Sequence, residues 1–321
     1  MKKGLKNLIR SVCFITLLLL LTVSSSYMLA PKDNTKQSGI VNPSAHGFFS
    51  EPENSIEVAV IGNSDAYSGF SPMELWKNYG YTSYVSGEGR QTVAQAYAML
   101  NKLLKGQKPK VIILETDGFF TKSKLVESTA KMVNASLGSS FSVFQYHDRW
   151  KNVKPNELFK KPRYTAHCAA KGQWLSNDVK PCRGKEYMVE TDEKAVIPLS
   201  VKKSAEAFVR VCRNNNIEVL FLELPSQSSW NYKKHNAVKA YSDKLGVKFI
   251  DMNIERDRFG FDWMTDTRDG GNHLNNRGAR KCTVFLGEYL KQNYKLEDRR
   301  GNAEFKRWDE DYKNYLKKVK I

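Results

Sequence analysis

The sequence lacks the patterns of several common protein classes. It has five cysteines in 321 residues, none of them in a CxxC pair, and no zinc-ligand spacing. It has no glycine-rich phosphate loop, no internal repeat and no low-complexity segment. It also has no basic helix with heptads and no aromatic RNA-binding signature, so we expect no nucleic-acid partner. No cofactor is predicted.

Acidic residues are scarce relative to basic ones. The chain has 34 Asp and Glu against 51 Lys and Arg, which gives a formal net charge of +17. This excess favours an acidic neighbour, which outside a cell would be an anionic cell-wall polymer, a glycan or a membrane surface. With 41% hydrophobic residues, the chain can still build a substantial core.

The N-terminus predicts a single membrane span. Residues 1–10 are basic, and residues 11–30 are uncharged and mostly apolar over the roughly 20 residues that a spanning helix needs. Since basic flanks stay in the cytoplasm, the rest of the chain is expected to be extracellular. A cleaved signal peptide is the alternative. Residues 31–54 are polar and predict a linker between the anchor and a body that begins at residue 55.

The body alternates short apolar runs with amphipathic segments. The runs predict strands at residues 56–62, 111–115, 217–224 and 247–251, and the amphipathic segments predict helices near 91–106, 201–215, 230–245 and 276–292. This alternation favours an α/β fold with a mostly parallel sheet between helices. The catalytic domain would cover residues 55–293, with an inserted cap region at about 121–200. Residues 294–321 would form a helical tail docked on the body.

Two distant motifs carry residues suited to acyl transfer. Gly62-Asn63-Ser64 follows the first predicted strand, where a serine can project at the carboxyl end of the sheet. Near the C-terminus, Asp269-Gly-Gly-Asn-His273 presents a histidine on a turn just before a helix. A serine nucleophile needs such a base and backbone N–H groups for the oxyanion. The alternative is that Ser64 only caps the next helix.

Together the two motifs resemble the SGNH (GDSL-like) hydrolase superfamily, with the similarity extending over about residues 56–292. Within it, the chain looks most like the membrane-anchored branch that includes the teichoic-acid D-alanyl transfer protein and cell-envelope O-acetyltransferases. The resemblance implies a three-layer, flavodoxin-like α/β/α fold, a Ser64 nucleophile, His273 as the base and Asp269 as the residue that orients it. It also implies a multi-pass membrane O-acyltransferase as partner.

The chain departs from the family pattern at three points. The family usually places two residues between the Asp and the His, whereas three follow Asp269, so Asp266 is an alternative. The oxyanion-hole glycine corresponds to Gly87 or Gly89, and we favour Gly89 together with Asn63. The family's third-block asparagine is absent. Asp117 or Glu115 stands in its place, with a predicted role in positioning the substrate or the loop.

The remaining polar candidates have simpler predicted roles. Cys168 and Cys182 flank a polar segment and could close a loop as a disulfide. The histidines outside the motif are expected to face solvent: His46, His147, His167 and His235. Glu223 and Asp251 lie at predicted strand ends and could form a glycosidase-like pair.

We therefore expect an extracytoplasmic serine-dependent O-acyltransferase that acts on a cell-envelope polymer or glycan through an acyl-Ser64 intermediate. Two alternatives remain open: an anchored carbohydrate esterase, and a non-catalytic binding protein on the same fold.

Overall fold

The computed structural model describes residues 2–121, 137–138, 141–184 and 186–319. Its centre is a five-stranded parallel sheet in the order β2-β1-β3-β4-β5. The strands are β1 Val58–Gly62, β2 Ser83–Gly87, β3 Val111–Glu115, β4 Glu218–Glu223 and β5 Lys248–Asp251. This strand order is that of flavodoxin-like folds, in which ligands bind beyond the carboxyl ends of the strands. The predicted α/β fold is confirmed.

Both faces of the sheet are covered, which explains why its strands are continuous apolar runs. In β1, Ala59 and Ile61 enter one core layer, whereas Val58 and Val60 enter the other. Among the residues that the structure describes, the α-helices are Lys2–Leu29, Ser64–Gly69, Pro72–Tyr79, Val93–Leu103, Val143–Tyr146, Leu199–Asn214, Tyr232–Leu245, Met252–Glu255, Asn276–Asn293 and Lys306–Leu316. Within the predicted cap region at about 121–200, the described residues 141–184 and 186–198 consist mainly of irregular chain with short helical turns.

The N-terminal helix Lys2–Leu29 is separate from the body over most of its length. Within it, Lys3–Leu29 is long and apolar enough to cross a membrane, and its most apolar window has no residues buried against the body. By length and composition alone, the helix therefore fits either a membrane anchor or a signal sequence.

The segment 31–54 packs on the body, so the prediction of a linker that holds the body away from the anchor was wrong. Phe48 and Ala45 are fully buried in one core layer. The Tyr84 hydroxyl donates a hydrogen bond to the Ser44 carbonyl (2.7 Å), and the Ser86 hydroxyl donates to the Ala45 carbonyl (2.6 Å). The backbone of this segment is thus hydrogen-bonded to side chains of β2.

A buried lysine joins three parts of the chain that are distant in sequence. Lys171 is fully buried, and its ammonium group lies 2.8 Å from the Glu51 carboxylate and 2.7 Å from that of Asp311. It also lies 4.4 Å from the ring centre of Trp308. Segment 31–54, the inserted region and the helix Lys306–Leu316 therefore meet at one charged centre.

Three of the four histidines predicted to face solvent are partly or fully enclosed, and only His147 is exposed. His46 is 5% exposed, and burial, together with nearby Lys102, lowers its pKa to about 4. The rings of His167 and His235 lie 2.7 Å and 2.8 Å from buried carboxylates. The prediction failed because a polar sequence neighbourhood does not report the packing of distant segments.

Candidate active site

The turn after β1 presents Ser64 at the carboxyl edge of the sheet. Gly62 is required there, because a Cβ would lie 2.5 Å from the Cβ of Glu115. Asn63 caps the following helix, since its side-chain oxygen accepts the backbone N–H of Asp65 at 2.7 Å. Ser64 is the first residue of the helix and is half-buried. Asn63, and not Ser64, therefore has the capping role that the alternative assigned to the serine.

Two carboxyl groups beneath this turn hold it in place. Glu115 accepts the backbone N–H groups of Asn63 at 3.2 Å and of Asp117 at 2.6 Å. Asp117 accepts the side-chain amide of Asn63 at 2.9 Å. Burial, and then the charge of Asp117, raise the pKa of Glu115 to about 8. Of the two predicted roles for this pair, the contacts are those of loop positioning.

Two further buried carboxyl groups lie beside the same edge. Sequence reasoning assigned no role to Asp65, and assigned to Glu223 only that of a glycosidase-like pair with Asp251. Asp65 and Glu223 are almost completely buried. Burial, and then the neighbouring charge of Glu115, hold the pKa of each well above its usual range. The Thr116 hydroxyl donates to one oxygen of Glu223 at 2.6 Å, whereas the other oxygen has no hydrogen-bond partner. A single acidic residue at the end of a strand does not reveal from the sequence that several buried carboxyl groups meet there.

The glycosidase-like pair of carboxylates is not available to a sugar. Glu223 and Asp251 are register partners on β4 and β5, and they are 0% and 5% exposed. Asp251 accepts hydrogen bonds from the Trp230 indole and the His235 imidazole, both at 2.8 Å. These contacts give Asp251 a structural role, so the pair does not form a catalytic site.

The second motif folds into a tight loop that brings Asp269 onto His273. Asp269 accepts the backbone N–H groups of Asn272 (3.1 Å) and His273 (2.8 Å) through one oxygen. Its other oxygen lies 2.5 Å from Nδ1 of the His273 ring. Gly270 and Gly271 have φ values of +85° and +100°, which favour glycine. The loop accommodates the extra residue through these two glycines.

Asp266, the alternative partner for the histidine, has other contacts. Its fully buried carboxylate lies 2.7 Å from the Lys281 ammonium and accepts the backbone N–H of Asp262 at 2.8 Å. By contrast, Asp269 is partly exposed. Although burial opposes the effect, hydrogen bonds from the His273 backbone and ring hold its pKa below the usual value. The geometry therefore pairs Asp269, and not Asp266, with His273.

The helix Asn276–Asn293 fixes the far end of this loop. Asn275 caps it by accepting the backbone N–H groups of Arg277 (3.0 Å) and Gly278 (3.1 Å). The Asn275 amide also donates to the Thr265 carbonyl at 2.9 Å. A Cβ on Gly278 would lie 2.4 Å from the Asp266 carbonyl oxygen. Asn275 and Gly278, at the start of this helix, therefore position the histidine loop.

The two loops are neighbours. Asp65, next to Ser64 in the chain, interacts electrostatically with both Arg268 and Asp269. Tyr67 lies one turn after Ser64, and its ring centre is 6.2 Å from that of Trp174. Trp174 in turn lies beside Arg268 of the histidine loop. Burial raises the pKa of the Tyr67 phenol, while Arg268 and a hydrogen bond with Ser64 oppose that rise.

These contacts define an aromatic and cationic surface beside the serine, formed by Tyr67, Trp174 and Arg268. The Arg268 guanidinium lies 5.9 Å from the Trp174 ring centre, within cation–π range. Trp174 is 62% exposed and is held by its backbone N–H, which donates to the Tyr67 carbonyl at 2.9 Å. Sequence reasoning noted Trp174 only as part of the inserted region, because its proximity to Ser64 depends on tertiary folding.

Both candidate oxyanion glycines lie near the turn, in different surroundings. Gly87 pairs with Gly62 across β1 and β2, and a Cβ on it would lie 2.9 Å from the Asn63 carbonyl oxygen. Gly89 is exposed, and the nearest atom to its hypothetical Cβ is the Tyr67 hydroxyl at 3.9 Å. Close packing therefore accounts for glycine at position 87, whereas Gly89 has open space beside the Tyr67 hydroxyl.

The prediction of a disulfide between Cys168 and Cys182 was wrong: both cysteines are free in the structure. Cys168 accepts the backbone N–H of Gly172 at 3.2 Å, whereas the Cys182 thiol donates to the Gln227 side chain at 3.2 Å. The Cys182 sulfur also lies against Gly271 of the histidine loop. The two cysteines therefore pack in different places.

The described residues contain no group of three or more His, Cys, Asp or Glu side chains arranged to hold a metal ion. Neither a protein-family model nor a curated protein matches the sequence at a significant level.

Several solved structures are similar in fold. A lipase/acylhydrolase from Enterococcus faecalis is 9% identical, with 75% of this chain and 99% of that chain covered and a TM-score of 0.41. The family 3 carbohydrate esterase of Clostridium thermocellum is 14% identical, with 74% and 96% covered and a TM-score of 0.40. A GDSL-like lipase from Bacteroides thetaiotaomicron is 9% identical, with 77% and 95% covered and a TM-score of 0.39. Likenesses this distant carry no conclusion about the chemistry of this chain.

Proposed function

We propose that the chain is a membrane-anchored serine acyl-transfer enzyme of the SGNH type, with Ser64 as nucleophile, His273 as general base and Asp269 as the residue that orients the base. The observation that carries the proposal is the Asp269–His273 contact of 2.5 Å, on a loop that neighbours the Ser64 turn. A carboxylate on Nδ1 leaves Nε2 of the imidazole as the nitrogen that takes the serine proton.

The reaction would proceed in two balanced steps. In the first, Ser64 Oγ attacks the carbonyl carbon of an acyl ester, its proton passes to His273, and the donor alkoxide leaves with that proton. In the second, a hydroxyl group of the acceptor attacks the acyl-serine ester. His273 takes the proton of that hydroxyl and returns it to Ser64 as the new ester departs. Water in place of the acceptor makes the same enzyme an esterase.

The oxyanion that develops in both steps needs hydrogen-bond donors that are already in place. We assign this role to the backbone N–H groups of Ser64 and Gly89. Asn63 contributes by shaping the turn, since one hydrogen of its side-chain amide is bonded to Asp117. Raised pKa values of the buried carboxyls favour their neutral forms, which limits negative charge beneath the oxyanion.

We further propose that the acceptor is an anionic cell-envelope polymer or glycan. The net charge of +17 favours an anionic acceptor, and the surface formed by Tyr67, Trp174 and Arg268 combines aromatic rings with a cation next to the serine. An extracytoplasmic enzyme needs an acyl donor delivered through the membrane, so a multi-pass O-acyltransferase is the proposed partner. Because both proteins would be held in the same membrane, the effective concentration of the enzyme near this partner would be high.

The full-length chain, purified in detergent, should form an acyl-enzyme with an activated ester such as p-nitrophenyl acetate. Intact-mass and peptide analysis would locate the added acetyl group. Alkaline hydroxylamine then separates a serine ester, which it cleaves, from acetylated lysines, which it does not. The variants are Ser64→Ala and His273→Ala, with Ser142→Ala as the control serine outside the site.

A hydroxylamine-sensitive acetyl group on Ser64 that is missing from both site variants and present in Ser142→Ala would support the assignment. Acetylation of Ser64 at an unchanged rate in His273→Ala would remove His273 as the base. If folded wild-type protein acquires only hydroxylamine-resistant adducts, both in detergent and in its native membranes, the chain is a binding protein and the proposal is wrong.

A further inference from the structure

Residues 141–163, here called the interfacial segment, expose aromatic side chains beside the last turns of the N-terminal helix. Phe144, Trp150 and Phe159 are 47%, 67% and 74% exposed. Single exposed apolar residues are ordinary on a protein surface, but a concentration of large aromatic ones marks an interaction site. Among the described tryptophans, Trp174 is the other strongly exposed one, and its ring lies beside Tyr67, which is hydrogen-bonded to Ser64. Trp150 does not belong to the surface formed by Tyr67, Trp174 and Arg268, so its exposure needs a separate explanation.

The interfacial segment is hydrogen-bonded to the outer end of the N-terminal helix. The Val143 backbone N–H donates to the Ser26 hydroxyl at 3.3 Å. The Arg149 guanidinium donates to the Leu29 carbonyl at 2.7 Å, so it also satisfies one of the open carbonyls at the helix C-terminus. These bonds fix the beginning of the segment beside the last turn of the helix.

A third contact fixes the end of the segment at the same level. The Tyr27 hydroxyl lies 3.2 Å from the carbonyl oxygens of both Phe159 and Lys160. The apolar stretch of residues 11–30 is about 30 Å long as a helix, which is the thickness of a bilayer core. Residues 26–29 then lie at the boundary between hydrocarbon and headgroups. Aromatic side chains are enriched at this depth in membrane proteins.

The charge of the segment suits one kind of membrane surface. It contains six basic and two acidic residues, a net charge of +4. The exposed cations are Lys151, Lys154, Lys160, Lys161 and Arg163. Basic residues beside a membrane span are attracted to anionic headgroups, and their long side chains can reach those headgroups while the aromatic rings lie deeper.

We propose that the interfacial segment is a second membrane contact, in which Phe144, Trp150 and Phe159 insert into the headgroup region and the basic side chains bind anionic lipid. The body would then be held by the helix and by this surface together, which restricts its tilt relative to the bilayer. This proposal depends on the helix spanning a membrane and not on the chemistry of Ser64.

The test uses the full-length chain reconstituted into vesicles of phosphatidylcholine, with or without phosphatidylglycerol, and with bromine-labelled phosphatidylcholine as a quencher of tryptophan emission. Trp150→Phe removes the predicted reporter, and Trp174→Phe is the matched control because Trp174 is almost equally exposed. A triple variant, Lys154→Glu with Lys160→Glu and Lys161→Glu, removes the charge. Lys313→Glu, on the C-terminal helix, controls for a general effect of charge.

We expect bromolipid quenching of the wild type and of Trp174→Phe, most of which is lost in Trp150→Phe. Quenching should be stronger with phosphatidylglycerol, and the triple lysine variant should lose that increase whereas Lys313→Glu keeps it. Equal quenching of Trp150→Phe and wild type would overturn the proposal. So would an unquenched Trp150 in every lipid mixture, which would assign the surface to a protein partner. Equal quenching with and without phosphatidylglycerol would overturn the assignment of anionic lipid.

Discussion

Replacing Asp269 by Asn should lower kcat/KM by roughly 10²–10³-fold with little loss of stability. One side-chain oxygen of Asp269 accepts two backbone N–H groups, and an amide oxygen can keep both bonds. The other oxygen faces Nδ1 of His273 and would become an NH₂ donor. The imidazole would then carry its proton on Nε2, where it cannot accept the Ser64 proton. The Asp269 side chain is 36% exposed, so we expect less than the loss of about 10⁴-fold seen with a buried triad acid.

The same substitution at Asp266 should have the opposite pattern. Its carboxylate is fully buried and pairs with Lys281, whose side chain is 32% exposed. Because water partly solvates that lysine, we expect a loss of about 1–3 kcal/mol of unfolding free energy, below the range for a fully buried pair. The protein that remains folded should hydrolyse ester at nearly the wild-type rate, since Asp266 does not touch His273.

The assay for both variants combines hydrolysis of p-nitrophenyl acetate by the full-length chain in detergent with thermal unfolding of the same samples. The two measurements separate orientation of the base from support of the fold. If Asp269→Asn is fully active while Asp266→Asn is folded and inactive, the pairing of Asp269 with His273 does not operate in catalysis and the reasoning is refuted.

Three further predictions concern the support of the site and of the body. Burial holds the pKa of Glu223 above its unfolded value near 4.5, so its stabilising effect is present at low pH and is lost as the pH rises towards the folded pKa. Glu223→Gln should therefore flatten the decline of the unfolding free energy with pH by up to about 1.4 kcal/mol per pH unit, measured by denaturant unfolding at several pH values, and an unchanged slope would contradict the buried proton. Lys171→Met removes the ammonium group from two buried carboxylates, which keep only the His167 ring as a charged partner, and should lower Tm by roughly 10 °C in thermal unfolding. A Tm within about 2–3 °C of wild type would show that the lysine is not needed. Gly271→Ala places a Cβ 2.5 Å from the Cys182 sulfur at a φ of +100° and should reduce ester hydrolysis at least about tenfold. The control Gly301→Ala has a similar φ of +81° with open space around it and should retain activity, and equal losses in the two variants would argue against a local effect on the loop.

Four of the five strands could be predicted from sequence, because a strand buried on both faces appears as a short apolar run. The fifth, β2 Ser83–Gly87, contains Ser83 and Ser86 and was not among the predicted strands. The runs at residues 111–115 and 217–224 correspond to β3 Val111–Glu115 and β4 Glu218–Glu223. The residues are apolar on both faces because helices cover both sides, and no distant information is needed to recognise that. The pairing of Asp269 with His273 was also within reach, because the two residues are four positions apart on one loop.

The features that failed depend on packing between distant segments. Cys168 and Cys182 are close in sequence, yet one packs near β2 and the other beside the histidine loop. His46 lies in a polar sequence neighbourhood but is enclosed by the body. Trp174 gave no local signal of its position beside Tyr67. In each case the neighbours that decide the environment are supplied by another part of the chain.

The missing third-block asparagine acquires a physical meaning from the contacts around Asn63. Where the SGNH resemblance implies a neutral side-chain donor, this chain has Glu115 and Asp117, and both are hydrogen-bonded to the turn that carries Ser64. The oxyanion would then depend on backbone N–H groups alone. Loss of one donor typically costs about 10²–10³ in rate, which disfavours rapid hydrolysis of arbitrary esters. Such a site would depend more on binding energy from its proper donor and acceptor, because contacts remote from the reacting bond can position it for attack. That requirement fits a transferase that works beside a membrane partner better than a secreted esterase of broad specificity.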